Sequence, residues 1–531
     1  MKLALSSTIS EIDEYCQRVL GIPMLDLMQR SGDVVADTIR KRAPKDRHVV
    51  ILAGKGNNGG DAYAAAVNLF SEYEIVLIDV FGAGQKSEAG KHFRDEYIAL
   101  GGKIINFEPS DEIKNIIKTS GCIVDAVFGT GFHGEMPENI RPLAIMIRET
   151  VEAHKIAVDV PLGINADNGS VSDFAITVGT TVELSYIKPG IVSYPARSYV
   201  GDIVYDDIGL PRAMLAKEFK FRYNLIDKKW VALSLPRREE NSNKGTFGKL
   251  LMITGSCRYR GAAHLGLESA LRGGVGLVTF LGRESLCTEL SSKYPEAIYS
   301  IKPEDEDCTE SDVEKFVEMA NAHTATLIGS GSGNNDTLRN LTLRLLASKG
   351  SPLIIDADAI NALASMGEDG VKAIKNSARQ VILTPHPLEF ARLLGSDVAT
   401  IQLHRIEAAE RFAKENSCIV VLKGAGTVIT DGEEVYINVV GSSALAKAGS
   451  GDVLAGFIAS FVAQNKITPL KAAALAAYYH AMAGDVLAAE FSSFGVTPSD
   501  LPREIARQIA ITEERHESFI KNRKADEAEE K

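Results

Sequence analysis

At 531 residues the chain exceeds what one hydrophobic core organises, so two or three domains are expected. Hydrophobic content of 45% and charged content of 24% are those of a water-soluble globular protein, and a net charge of -12 argues against nucleic acid or an anionic membrane as the main partner. Six scattered cysteines without a C-x-x-C pair speak against a zinc site or disulfide frame; no apolar run reaches membrane-spanning length and no secretory h-region opens the chain, so the cytoplasm is the expected location.

Residues 9–42 carry apolar positions at helical spacing, interrupted at Gly21-Ile22-Pro23. Strands then alternate with helices: strands at His48–Ala53, Glu74–Phe81, Cys122–Phe128 and Lys155–Val160, and a helix over Asp61–Phe70. Such alternation predicts a parallel sheet covered on both faces, with ligands at the C-terminal ends of the strands. Three polar or Gly-rich segments fall there, each with an Asp: Gly54-Lys55-Gly56-Asn57-Asn58-Gly59-Gly60-Asp61, Val124-Asp125-Ala126-Val127-Phe128-Gly129-Thr130-Gly131, and Val158-Asp159-Val160-Pro161-Leu162-Gly163. The first fits G-x-G-x-x-G after a strand, with Asp79 about twenty residues on, the fingerprint of a dinucleotide-binding dehydrogenase. Two asparagines and an Asp in that loop point instead to polar ligation of a cation or of hydroxyls.

These segments resemble the epimerase domain of the NAD(P)H-hydrate repair enzymes, over about residues 9–212. The resemblance implies that Asn57, Asn58, Gly59, Gly60 and Asp61 bind a hydrated dinucleotide. It implies that Gly129, Thr130, Gly131, Phe132, His133, Gly134, Glu135 and Asp159 face the same substrate, with Asp159 in the chemistry. It also implies a potassium site at Asn58, Asp125 and the position of Leu162. The family has Ser where this chain has Leu162, and Gly where it has Ala62; a Leu side chain cannot coordinate, so a carbonyl or water would serve there.

Composition shifts over 213–244, which is rich in Lys and Arg and holds the single Trp230. The expected division is 1–215 for a first, Rossmann-like three-layer domain, 216–512 for a second α/β domain, and 513–531 for a charged tail. In the second half, strands are expected at Lys249–Thr254, Val275–Leu281, Ala325–Ile328, Pro352–Asp356, Val381–Leu383 and Ile419–Leu422, each running into small, polar or rigid residues. Lys423-Gly424-Ala425-Gly426-Thr427 lacks Walker spacing, so this is not a P-loop enzyme. In Ala446-Lys447-Ala448-Gly449-Ser450-Gly451-Asp452, a glycine turn hands over to a buried helix over Val453–Val462, placing helix-start amides beside a carboxylate. The alternative is an Asp that merely caps the helix.

KGTFGKLLMITGS, GAAHLG, IIDADAIN, ILTPHPLEF, VLKGAGTVI and AGSGDVLAG, in that order over about 228–510, look like a ribokinase-like fold and, more narrowly, resemble the ADP-dependent NAD(P)H-hydrate dehydratases. The resemblance implies substrate contacts from Ala262, Gly333, His386 and Asp452, and adenine-nucleotide contacts from Lys423, Gly424, Ala425, Gly426, Thr427 and Gly451. The family has Pro where this chain has Ala263. Water adds to the nicotinamide C5–C6 bond of NADH or NADPH to give hydrates with R and S forms at C6. By the resemblance, the first domain interconverts them, with K+ bound. The second dehydrates the S form with ADP and Mg2+, Asp452 acting as base. A homo-oligomer is the expected assembly. Three rivals stay open on the residues alone: a kinase of a small hydroxylated metabolite, a dehydrogenase built on Gly54–Gly59 and Asp79, and a first domain that binds without catalysing.

Overall fold

The computed structural model describes residues 1–82, 84–304 and 308–514; from 515 on, the charged tail lies outside the described residues. The chain divides into one unit of Lys2–Tyr223 and a second that holds Asn224 onward together with Met1. That division falls later than the expected 215/216. The helix Arg212–Glu218 buries Leu215, and Phe221 follows it into the same core, so the chain leaves the first unit only after Phe221.

In the first unit seven parallel strands run in the order Ile104–Asn106, Ile75–Asp79, Val49–Ala53, Cys122–Ala126, His154–Val158, Thr180–Leu184 and Asp202–Asp206. Val49–Ala53 is buried along its whole length, as a central parallel strand must be. Val49, Ile51 and Ala53 join one apolar core, while Val50 and Leu52 join the other on the opposite face. The next strand in sequence pairs on one side of Val49–Ala53, and Cys122–Ala126 pairs on the other. That reversal opens a crevice at the strand ends, where open α/β sheets bind ligands.

In this seven-stranded sheet three strands escaped the sequence reading: Ile104–Asn106, Thr180–Leu184 and Asp202–Asp206. Thr180–Leu184 is the instructive one. It holds Glu183, which reads as a surface residue, yet Glu183 is fully buried because a lysine lies against it. The helix after the first strand begins at Asn57, four residues before the expected Asp61. Asn57 and Asn58 are therefore the first turn of a helix and not a loop.

In the second unit the strands run in the order Val435–Asn438, Thr427–Thr430, Ile419–Leu422, Val381–Leu383, Leu353–Ile355, Ala325–Ile328, Lys249–Ile253, Leu277–Gly282 and Ile298–Ile301. All are parallel except the hairpin pairings of Thr427–Thr430 with its two neighbours. Two helices meet above this sheet, Arg260–Arg272 and Ser450–Ala463. A Cβ added at Gly456 would lie 2.2 Å from the Gly266 carbonyl oxygen. The two backbones are thus in direct contact, which fixes where both helices start and brings Ala262 and Asp452 to one edge. Among the described residues no helix is long and apolar enough to cross a membrane.

Candidate active sites

The crevice of the first unit is a cavity of about 470 Å³. Asn57, Asn58 and Asp61 reach it from the helix Asn57–Leu69, Gly129, Thr130 and Gly131 from the loop after Cys122–Ala126, and Asp159 from the end of His154–Val158. Asp159 sits at φ 64°, a region that L residues seldom occupy, and its backbone N–H donates a hydrogen bond to Val182 O at 2.8 Å. Its Oδ1 accepts from Leu184 N at 3.2 Å and from Lys188 Nζ at 2.7 Å. Lys188 is fully buried and also lies 3.2 Å from Glu183 Oε2. Burial pushes Glu183 up to about 8, with Lys188 pulling it down and Asp159 adding to the rise. Lys188 itself is raised: the pull of Asp159 and Glu183 outweighs the cost of burying it. Sequence reasoning missed both Glu183 and Lys188. The usable signal was a Lys four residues past a strand end, in Leu184-Ser185-Tyr186-Ile187-Lys188-Pro189-Gly190.

Other expected contacts lie elsewhere. Gly59 and Gly60 face inward: a Cβ on Gly59 would meet Gly54 O at 1.9 Å and one on Gly60 would meet Met28 Cε at 2.5 Å, so both serve close packing. Phe132 is buried against Phe128, while His133, Gly134 and Glu135 are exposed beyond the cavity lining, with His133 Nδ1 2.8 Å from Asn165 Nδ2. Asp79, the carboxylate of the dehydrogenase rival, accepts from the amides of Phe81, Gly82 and Gly84; it closes its own loop and is not offered to a ribose.

Of the three residues expected to hold a cation, Asn58 donates through Nδ2 to Phe128 O at 2.9 Å, leaving its buried Oδ1 without a partner. Asp125 accepts from Leu162 N at 2.6 Å and Val127 N at 3.2 Å, and burial pushes it up to about 7 against those two bonds. The Leu162 side chain lies fully buried in the apolar core, as a residue that cannot coordinate would, and its amide donates to Asp125.

The second unit carries a cavity of about 450 Å³ at the ends of its strands. Ala262 and Asp452 line it, together with Tyr259, Gly331, Asp358 and Gly449. The helix expected from Val453 starts at Ser450, so Asp452 belongs to its first turn, and the N-cap is Gly449 at φ 101° with no side-chain cap bond. Asp452 is therefore no capping residue. Ser450 N is taken by Lys447 O at 3.2 Å. Among the described residues, the amides of Gly451 and Asp452 meet no acceptor, so two N–H donors stand open at the start of the helix. Burial, reinforced by Asp356, pushes Asp452 up to about 7 although Lys423 opposes it.

Lys423 lies under that turn: a Cβ on Gly451 would come within 3.4 Å of its Nζ. Asp356, almost fully buried, holds Lys423 at 3.1 Å and is itself anchored by Thr384 and Ser330 hydroxyls at 2.7 Å each. Arg405, another residue that spacing did not reveal, donates to the carbonyls of Leu422 and Lys423 at 3.1 Å and braces the turn of Gly424, at φ 139°. Gly424 and Ala425 are exposed; Gly426 sits at φ 66°, and the Thr427 hydroxyl donates back to Gly424 O at 2.9 Å. Gly333 donates to Asp358 at 2.8 Å and so borders the cavity through that carboxylate. His386 caps the helix Pro387–Leu394: its Nδ1 accepts from Leu388 and Glu389 amides, and its Nε2 lies 3.2 Å from Glu389. Both ring nitrogens serve that turn, which leaves His386 outside the cavity lining with only its ring face to offer.

Two parallel-sheet units, each with carboxylates beside unpaired polar groups at a strand-end crevice, define a two-domain α/β enzyme. Residues 24–190 match the family described as YjeF-related protein N-terminus, and residues 250–507 match the family NAD(P)H-hydrate dehydratase. The bifunctional NAD(P)H-hydrate repair enzyme Nnr of Moorella thermoacetica is 32% identical over 98% of this chain and 99% of its own length; that of Escherichia coli K12 is 31% identical over 94% and 92%. Among solved structures, an ADP/ATP-dependent NAD(P)H-hydrate dehydratase from Bacillus subtilis, co-crystallised with ATP and Mg2+, is 29% identical over 54% of this chain and 98% of its own, with a TM-score of 0.48. The chain belongs to the bifunctional NAD(P)H-hydrate repair enzymes.

Proposed function

We propose that the two cavities divide the repair of hydrated NADH and NADPH between them. The first unit interconverts the R and S hydrates at C6, and the second returns the S form to the reduced cofactor at the expense of ADP. The observation that carries this reading is the first turn of the helix Ser450–Ala463, with free amides at Gly451 and Asp452, a carboxylate beside them and Lys423 below. Asp452 takes the proton of the C6 hydroxyl, and that oxygen attacks the β-phosphorus of ADP. The bond from that phosphorus to the AMP oxygen breaks and AMP leaves. The helix-start amides and Lys423 offset charge on the moving phosphoryl group. The phosphate ester then departs as phosphate with loss of a C5 proton, and the C5–C6 double bond is restored. Mg2+ arrives with the nucleotide.

In the first unit, Asp159 faces the cationic carbon that forms when C6 loses its hydroxyl, and Lys188 fixes its orientation. Potassium fits Asn58 and Asp125: the buried Asn58 Oδ1 lacks a partner, and an amide oxygen with a carboxylate suits a hard cation. When bound, it would supply a fixed positive charge beside the first cavity. We place the enzyme in the cytoplasm, with activity limits near residues 223 and 512. The test is to supply mixed R and S hydrate with ADP, then with ATP, and follow the return of reduced cofactor. Full return supports both activities. Return of only the S share leaves the first unit a binding module, and a stable phosphorylated product would favour the kinase reading.

A further inference from the structure

Epimerisation at C6 needs more proton chemistry than one carboxylate performs in place. The hydroxyl must leave as water, which requires a proton, and water must return to the other face of the ring, which requires a base. Groups on different walls of one cavity meet that need. Three carboxylates line the first cavity: Asp159 at a strand end, Asp61 on the helix Asn57–Leu69 and Asp13 on the helix Ser6–Arg18.

Their surroundings differ. Asp159 is ion-paired to Lys188 through Oδ1. Asp61 is buried and takes a hydrogen bond from Ser31, and burial with the charges of Asp159 and Asp13 raises it well above the usual carboxylate range. Asp13 has no hydrogen-bond or ion-pair partner for its carboxylate among the described residues; the side-chain amide of Gln17 donates to its main-chain carbonyl instead. It also borders an outer groove of about 330 Å³ with Ser10, Gln17 and Arg18, which gives it access to water for proton exchange. The same cavity holds a group that asks for a ligand, the Oδ1 of Asn58, more than nine-tenths buried and unpartnered.

We propose that Asp13 is a second catalytic residue of the first cavity, the proton-transfer partner of Asp159 in hydrate epimerisation. Resting on the epimerase reading, the cycle balances. The Asp13 carboxyl gives its proton to the C6 hydroxyl, the C–O bond breaks, and water leaves as the ring nitrogen lone pair forms a C6=N1 iminium. Water adds to the other face, a new C–O bond forms, and the Asp159 carboxylate accepts the proton released. The reverse direction exchanges the roles; solvent in the outer groove returns a proton to Asp13, and Asp159, whose side chain is partly exposed, releases the proton it accepted to water in the cavity. Burial, then the charge of Asp159, pushes Asp13 up to about 6, with Lys188 pulling it down; Asp61, Cys16 and Lys55 on the cavity side and Glu14 and Arg18 on the groove side are the other titratable or charged groups around it. That range lets a carboxyl cycle near neutral pH.

The experiment uses the full chain. Wild type, Asp13→Asn and Asp13→Glu are each given pure R hydrate, and the approach to the R/S mixture is followed by chromatography between pH 5 and 8. Dehydratase activity on S hydrate with ADP serves as the folding control. Asp13→Asn is expected to lose ~10²–10⁴-fold in kcat for epimerisation while the control is unchanged. Asp13→Glu should recover part of the loss, and the wild-type decline of kcat/KM above about pH 6 should vanish in Asp13→Asn. A kcat within a few-fold of wild type, or a loss confined to KM, overturns the proposal. A wild type that fails to exceed the spontaneous rate overturns the epimerase reading itself.

Discussion

Asp452 and Asp159 are both aspartates at the mouth of a parallel sheet, yet they are held in different ways. Asp159 is clamped by a buried ammonium through one oxygen. Asp452 has no such clamp; burial and Asp356 raise it to about 7. A base works only when ionised, so the dehydratase rate should climb as pH rises through about 7 and level off above it; a pH profile of kcat on S hydrate checks this. A profile still flat down to pH 5 would set the assignment aside. Lys188 carries a second prediction. Lys188→Met leaves Glu183 and Asp159 without their cation, and breaking a buried pair from one side costs ~3–5 kcal/mol. Urea unfolding should show that loss, and Glu183→Gln in the same chain should recover part of it; no recovery would mean that Glu183 is not what Lys188 neutralises. This network was hidden in the sequence because a buried Glu and a buried Lys each look like surface residues until their partner is known. Asp452 and Asp159 were legible because glycine turns and strand ends announce themselves.

At the scale of elements, the start of one helix does most of the positioning. The contact between Gly456 and the Gly266 carbonyl sets how Ser450–Ala463 lies on Arg260–Arg272, and so where the free amides point. Gly456→Ala places a methyl where no space exists. The expected cost is ~1–3 kcal/mol, with dehydratase kcat reduced and epimerase kcat untouched. Differential scanning with both assays on the full chain measures it, and unchanged kcat with lowered stability would show that the helix start is set elsewhere. Most interior strands were readable from their apolar runs, Thr180–Leu184 with its buried Glu183 excepted, while Ile104–Asn106 and Ile298–Ile301 were not. Both are short edge strands with partly exposed residues, so neither periodicity nor hydrophobicity marks them. Helix starts were misplaced at Asn57 and Ser450 for one reason: Gly and Asn at the first turn resemble a loop when spacing is the only guide.

For the whole molecule, each cavity is lined by residues of a single unit, so the two reactions should be separable by mutation. Their logic as a pair is chemical: a dehydratase specific for one epimer strands the other unless something interconverts them. The measurement that bears most directly on this account is dehydratase turnover by Asp452→Asn in the full chain, at pH 8 with saturating ADP and S hydrate. The variant keeps the shape of the turn and its amides but cannot take a proton. Turnover should fall by ~10²–10⁴-fold while ADP still binds and R/S interconversion proceeds at the wild-type rate. Turnover within a few-fold of wild type would contradict the assignment of Asp452 as the base.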